Sequence, residues 1–97
     1  MGKVYVSVDL MEDYPKLTEA VSQVITRLRE DAGLTKRRLA IRSHLDRVYL
    51  LQVEQGKYRP TLNFIFWLAQ ALGMSAGEVV TLIEQEQQRL RQLDKEQ

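Results

Sequence analysis

Residues 35–56 read TKRRLAIRSHLDRVYLLQVEQG, and this stretch decides the fold. Thr35 is a helix-capping residue type at the head of a short amphipathic run, TKRRLAIRS. Leu39, Ala40 and the stem of Arg38 are expected to face inward there. His44 and Leu45 interrupt the run. Asp46 is the next N-cap candidate, and a second short helix is predicted over about residues 47–55, with Leu50 and Val53 inward and Gly56 as its stop. The two helices are therefore separated by a turn of only a few residues.

Working outward, Leu17, Val21, Val24, Ile25 and Leu28 repeat with helical spacing. Pro15 suits the first turn of that helix and Gly33 its end. On the other side, Pro60 and Thr61 open a helix over TLNFIFWLAQALG, closed by Gly73. Its inward residues are expected to be Leu62, Ile65, Phe66, Leu68, Ala69 and Leu72, making it the most buried element. Phe64, Phe66 and Trp67, at helical spacing, read as core and interface rather than as a base-stacking platform. Ser75 caps a last helix running to about Lys95. Val79, Ile83, Leu90 and Leu93 make an imperfect seam with Glu86 in the missing position, and the part after Glu84 is expected either to zip with a second subunit or to fray. At the N-terminus KVYVSVDL, residues 3–10, alternates with Val4, Val6 and Val8 on one side. A lone strand leaves its backbone unpaired, so it either pairs with the same strand of a second copy or is a flexible tail. The expected organisation is an arm and connector over 1–14, a domain over 15–84 and a helical extension over 85–97.

Composition sets the outer limits. Ninety-seven residues allow one ordinary domain. There is no cysteine, which excludes disulfides and thiolate metal sites. No run approaches the ~20 apolar residues of a membrane span, and no signal-peptide pattern opens the chain. The net charge of +1 conceals an uneven distribution: residues 1–34 carry −2, residues 35–59 carry +5 and residues 60–97 carry −2. The basic stretch coincides with the two short helices and the loop after them. It is either the footprint of a polyanion binder or a solvated helix face.

Two short helices joined in this way, the second N-capped, form a helix-turn-helix pattern. More specifically, LRxxxGLTxxxLA from Leu28, followed by VEQGKYRPTLNFIFWLAQALGMS from Val53, resembles the phage-repressor and Cro-like helix-turn-helix family. The resemblance spans about half the chain and implies an all-α, five-helix, lambda-repressor-like domain that docks on double-stranded DNA as a homodimer, in a cytoplasmic protein of bacterial or phage-derived origin. It places Arg47, Val48 and Gln52 at base-reading positions, with Leu51 on the same face. Arg47 suits guanine O6 and N7, Gln52 suits adenine, and Val48 suits a thymine methyl. DNA-backbone contacts are expected from Thr35 and Lys36 at a helix N-terminus, and from Tyr49, Gln55, Lys57, Tyr58 and Arg59. The family also pairs an arginine of the first helix with a glutamate at the end of the recognition helix, here Arg29 and Glu54.

Two features depart from the family pattern. His44 stands where the turn normally has a glycine in the left-handed conformation. The segment VYLL puts Val48, Tyr49 and Leu51 on a helix that should read bases. The leading expectation is thus a sequence-specific transcriptional regulator, a repressor, on a palindromic operator. The alternative is a protein-interaction module, antitoxin-like, that uses the Val48, Tyr49 and Leu51 face on a protein partner. No nucleophile–base set, phosphate loop, metal-ligand group, cofactor motif or small-molecule site stands out, so the chain is not expected to be an enzyme.

Overall fold

Five helices succeed one another in the computed structural model, which describes residues 12–96. They are α1 (Leu17–Asp31), α2 (Lys36–Ser43), α3 (Arg47–Glu54), α4 (Leu62–Ala71) and α5 (Ala76–Lys95). Four of the five starts are set by a side-chain oxygen that accepts an otherwise unsatisfied backbone N–H. Thr35 accepts from Arg38 at 3.1 Å, Asp46 from Tyr49 at 2.9 Å and Thr61 from Phe64 at 3.1 Å. Ser75 accepts from Glu78 at 3.0 Å, and the Glu78 carboxylate returns to the Ser75 N–H at 2.9 Å, closing a capping box. Each cap contributes about 1 kcal/mol. The Ser75 N–H also holds the Glu78 carboxyl below its ordinary range.

The start of α1 is different. Lys16 adopts the left-handed conformation at φ 63°, and the Leu17 N–H donates to the Tyr14 carbonyl at 3.0 Å. Pro15 therefore lies in the turn before α1 rather than in its first turn. The left-handed residue breaks the helical path immediately after the proline. Lys16 is held there by ion pairs with Glu19 at 3.5 Å and with Asp94 of α5 at 3.3 Å.

The core is one cluster fed by every helix. Ala20, Val24 and Ile25 of α1 meet Leu39 of α2, Leu50 and Val53 of α3, Phe64 and Leu68 of α4, and Val79 and Ile83 of α5. α1 lies along α5, α3 rests on α1 and α2, and α4 bridges α2 and α5. Leu17 and Leu28 are only partly buried at the margins of this cluster.

Several expectations are corrected. Arg38 is exposed, and Ser43 takes the inward place on α2, its hydroxyl donating to the Leu39 carbonyl at 2.6 Å. On α4 the buried stripe is Phe64, Ile65, Leu68 and Ala69, whereas Leu62 is 68% and Phe66 58% exposed. The helix is apolar on nearly its whole circumference and carries no charge, so its pattern does not select a face. Its neighbours select it: Tyr49 of α3 sets its ring edge against Phe64 at 5.4 Å. The rejected face, Leu62, Phe66 and Trp67 with Met74 and Ala76, lines an open apolar groove. α5 is helical to Lys95. Its Glu86 is buried and takes two hydrogen bonds from Arg89, at 2.7 and 3.0 Å. Buried Gln87 donates to the Pro15 carbonyl at 2.9 Å. The Gln87 bond ties that part of α5 to the connector before α1, and Leu93 is exposed. The expected strand of Val4, Val6 and Val8 lies outside the described residues.

Arg89 holds the Glu86 carboxyl below its ordinary value, against the opposing effect of burial. The stabilisation is therefore complete above the ordinary carboxylate range and is lost as pH falls below it, through the lowered value of the folded state. Glu86→Gln is expected to cost about 1 kcal/mol at neutral pH, since Arg89 is largely solvated. Chemical denaturation across pH should find the variant and the parent converging in acid.

Candidate nucleic-acid interface

The site is built around the presentation of α3. α2 ends where His44 adopts φ 59° and its N–H returns to the Ala40 carbonyl. That is the left-handed residue the turn requires, supplied by histidine, whose ring meets the edge of Trp67 at 5.2 Å. Two residues later Asp46 caps α3. At the far end, the Gly56 N–H reaches the Val53 carbonyl at 3.1 Å, and the Lys57 N–H reaches Gln52 at 2.9 Å. Gly56 sits at φ 76°, where glycine avoids the steric cost that a side chain meets.

A buried ion pair fixes the C-terminal end of α3. Arg29 donates from Nε to Glu54 Oε2 at 2.8 Å and from Nη2 to Oε1 at 3.0 Å. Its Nη1 donates to the Leu34 carbonyl at 2.8 Å. Thr26 adds a hydroxyl to Glu54 Oε1 at 3.2 Å, and the Ser22 hydroxyl donates to the Glu54 carbonyl. Both charged residues are 8% exposed. Glu54 raises the Arg29 guanidinium above its ordinary value, although burial pulls the other way. Among the described residues no buried side-chain polar atom lacks a partner. The geometry is that of a satisfied positioning network, not of a group waiting for a ligand.

On the outward side of α3, Arg47 is exposed and Val48 is 59% exposed, while Tyr49, Leu51 and Gln52 are half-buried. VYLL is thus less greasy on the surface than its letters suggest. Leu50 is core, Tyr49 stacks on Tyr58 at 6.2 Å, and its hydroxyl donates to the Arg59 carbonyl at 3.3 Å. This use of Tyr49, holding the loop after α3, was not legible from spacing. Lys36, half-buried, begins α2 next to the Thr35 cap, and Gln55, Lys57, Tyr58 and Arg59 are exposed beyond α3.

Among the described residues no carboxylate lies within 4 Å of Lys36, Arg37, Arg38, Arg42, Arg47 or Lys57. Arg59 is the exception: its Nη1 lies 2.9 Å from Asp13 Oδ1. Asp13 had no signature in the sequence, because the pairing joins positions far apart in the chain. A surface with several uncompensated cations beside an exposed, capped helix is suited to binding a polyanion.

Comparison with known proteins agrees with this geometry. A helix-turn-helix domain family model matches residues 20–82. An HTH-type transcriptional regulator of Sinorhizobium fredii, y4dJ, is 38% identical over 65 residues, covering 67% of this chain and 84% of the relative. The immunity repressor protein of Bacillus phage phi105 is 37% identical over 70 residues, 69% of this chain and 49% of that protein. The restriction-modification controller protein C.Esp1396I, solved as a tetramer in complex with its natural 35 base-pair operator, superposes with a TM-score of 0.68 at 28% identity. That match covers 78% of this chain and 97% of the controller. The chain belongs to the helix-turn-helix domain family, in the phage-repressor and Cro-like class to which its motifs pointed. Among the described residues, no single helix is long and apolar enough to cross a membrane.

Removing one member of the buried pair strands the other charge. Glu54→Ala is expected to cost about 3–5 kcal/mol in chemical denaturation, and Arg29→Met with Glu54→Leu together should cost much less than the two single losses summed.

Proposed function

We propose that this chain is a sequence-specific, double-stranded DNA-binding transcriptional regulator that acts as a homodimeric repressor on a palindromic operator. The observation that carries the reading is the pairing of α3's exposed N-terminal face with a surface of uncompensated cations. The operator complex of the controller protein and the repressor role of the phage relative support it. In this reading α3 enters the major groove. Arg47 makes two hydrogen bonds to guanine, Gln52 reads adenine, and Val48 and Leu51 pack on thymine methyls. Thr35 and Lys36 at the α2 N-terminus take one phosphate, and Gln55, Lys57, Tyr58 and Arg59 follow the backbone beyond α3. Tyr49 contributes through the loop it holds. Occupying the operator excludes polymerase, which is the simplest route to repression.

The homodimer rests on two considerations. One small reading head covers few base pairs, so useful specificity needs two half-sites about 34 Å apart. The outer face of α4 also offers Leu62, Phe66 and Trp67, exposed on a helix that bears no charge. Depletion of charge around aromatic side chains marks the centre of a protein interface and not a DNA contact. A second copy of the chain is the occupant that a two-fold operator calls for.

Selection of bound duplexes from a random pool tests the reading. It should enrich an inverted repeat, and no enrichment sinks it. Arg47→Ala should cost about 1–3 kcal/mol on the selected site and relax one base position. Lys57→Ala should weaken all sequences alike and reduce the salt slope by about one. Separately, Phe66→Glu should convert the dimer to a monomer in sedimentation. A variant that stays dimeric excludes the α4 face as the essential contact.

A further inference from the structure

We propose that Asp13 sets the DNA affinity of this chain by occupying Arg59 as an internal substitute for a DNA phosphate. The inference rests on the DNA-binding reading above and deepens it. Arg59 belongs to the loop between α3 and α4, two residues beyond Lys57. Its backbone is fixed from the α3 side, through the Tyr49 hydroxyl on its carbonyl and the Tyr49–Tyr58 stack. Its guanidinium is turned toward the connector before α1, where Asp13 Oδ1 lies 2.9 Å from Nη1.

Asp13 is held close to that position by a fixed connector. Two residues on, the Pro15 carbonyl accepts from buried Gln87 at 2.9 Å. The Tyr14 carbonyl accepts from the Leu17 N–H at 3.0 Å, and Lys16 is tied to Asp94 at 3.3 Å. The carboxylate is thus presented at the edge of the basic surface by contacts that run through α1 and α5.

A carboxylate and a phosphate oxygen offer the same acceptor to a guanidinium. DNA must therefore displace Asp13 before Arg59 can engage the backbone, and it gains no counterion release from a cation that was already neutralised internally. The displaced carboxylate then remains near the DNA backbone as a like charge. The cost applies to every sequence equally, because it concerns only the phosphate contact. Asp13 therefore suppresses binding to random DNA and leaves discrimination to the contacts of α3.

The test uses the full chain and a labelled random-sequence duplex, with affinity measured by fluorescence anisotropy over a range of salt concentrations. Asp13→Asn should tighten binding about two- to fivefold per subunit at low salt and steepen the dependence of log K on log salt by about one per subunit. In an Arg59→Ala background the same substitution should change neither. If Asp13→Asn alters nothing while Lys57→Ala still weakens binding, the Asp13 proposal is overturned and the DNA reading stands. If Asp13→Asn tightens binding equally with and without Arg59, a diffuse charge effect replaces the pair and the proposal is again overturned. If the parent chain binds no duplex at any salt, both readings fall.

Discussion

The buried pairing of Arg29 with Glu54 is the constraint on which the presentation of α3 depends. α3 is only two turns long, and a helix of that length has little stability of its own. It holds its place because Leu50 and Val53 enter the core and because its last residue is gripped by α1. That grip involves the guanidinium, two hydroxyls of α1 and, through the same arginine, the Leu34 carbonyl at the approach to α2. One side chain thus links α1, the α1–α2 turn and the end of α3. Burial of both charges makes the arrangement costly to break and narrow in geometry, which suits an element whose outward face must meet a ligand in one register.

Around that anchor the surface is divided by chemistry. The α2–α3 region and the following loop carry cations most of which have no carboxylate partner among the described residues, while the outer face of α4 carries large apolar side chains and no charge. The two surfaces are coupled through aromatic contacts. Tyr49 of α3 leans on Phe64 of α4, and His44 in the turn leans on Trp67 of α4. A partner seated on the α4 face therefore lies one side chain away from the start of the recognition unit. The α5 helix is turned inward instead, closing over α1 and fastening the connector that carries Asp13.

Much of this was legible in the letters. Thr35, Asp46, Thr61 and Ser75 announce helix starts because a short oxygen-bearing side chain can satisfy an N–H three residues ahead, an interaction contained within four residues. The spacing of Val21, Val24 and Ile25 announces a buried stripe for the same local reason. The α4 face was not legible. Phe64 and Phe66 are chemically the same residue two positions apart on a helix that is apolar nearly all round, and only the packing of the other helices, Tyr49 among their contacts, decides which of them is core. The inward turn of Glu86, the loop-holding part played by Tyr49 and the meeting of Asp13 with Arg59 were hidden for a related reason. Each depends on where a distant or flexible group ends up.

The sequence alone determined the number and order of the helices, the capped turn between α2 and α3, the concentration of positive charge at the centre of the chain and the family to which those motifs belong. These follow from interactions that reach no further than a few residues, or from the plain sum of charges. The tertiary structure decided which face of α4 is buried, that α5 packs against both α1 and α4, how the loop after α3 is braced, and that Arg59 is paired with Asp13. Those outcomes need two surfaces to meet, and the free energy that selects among them exists only once the chain has brought them together.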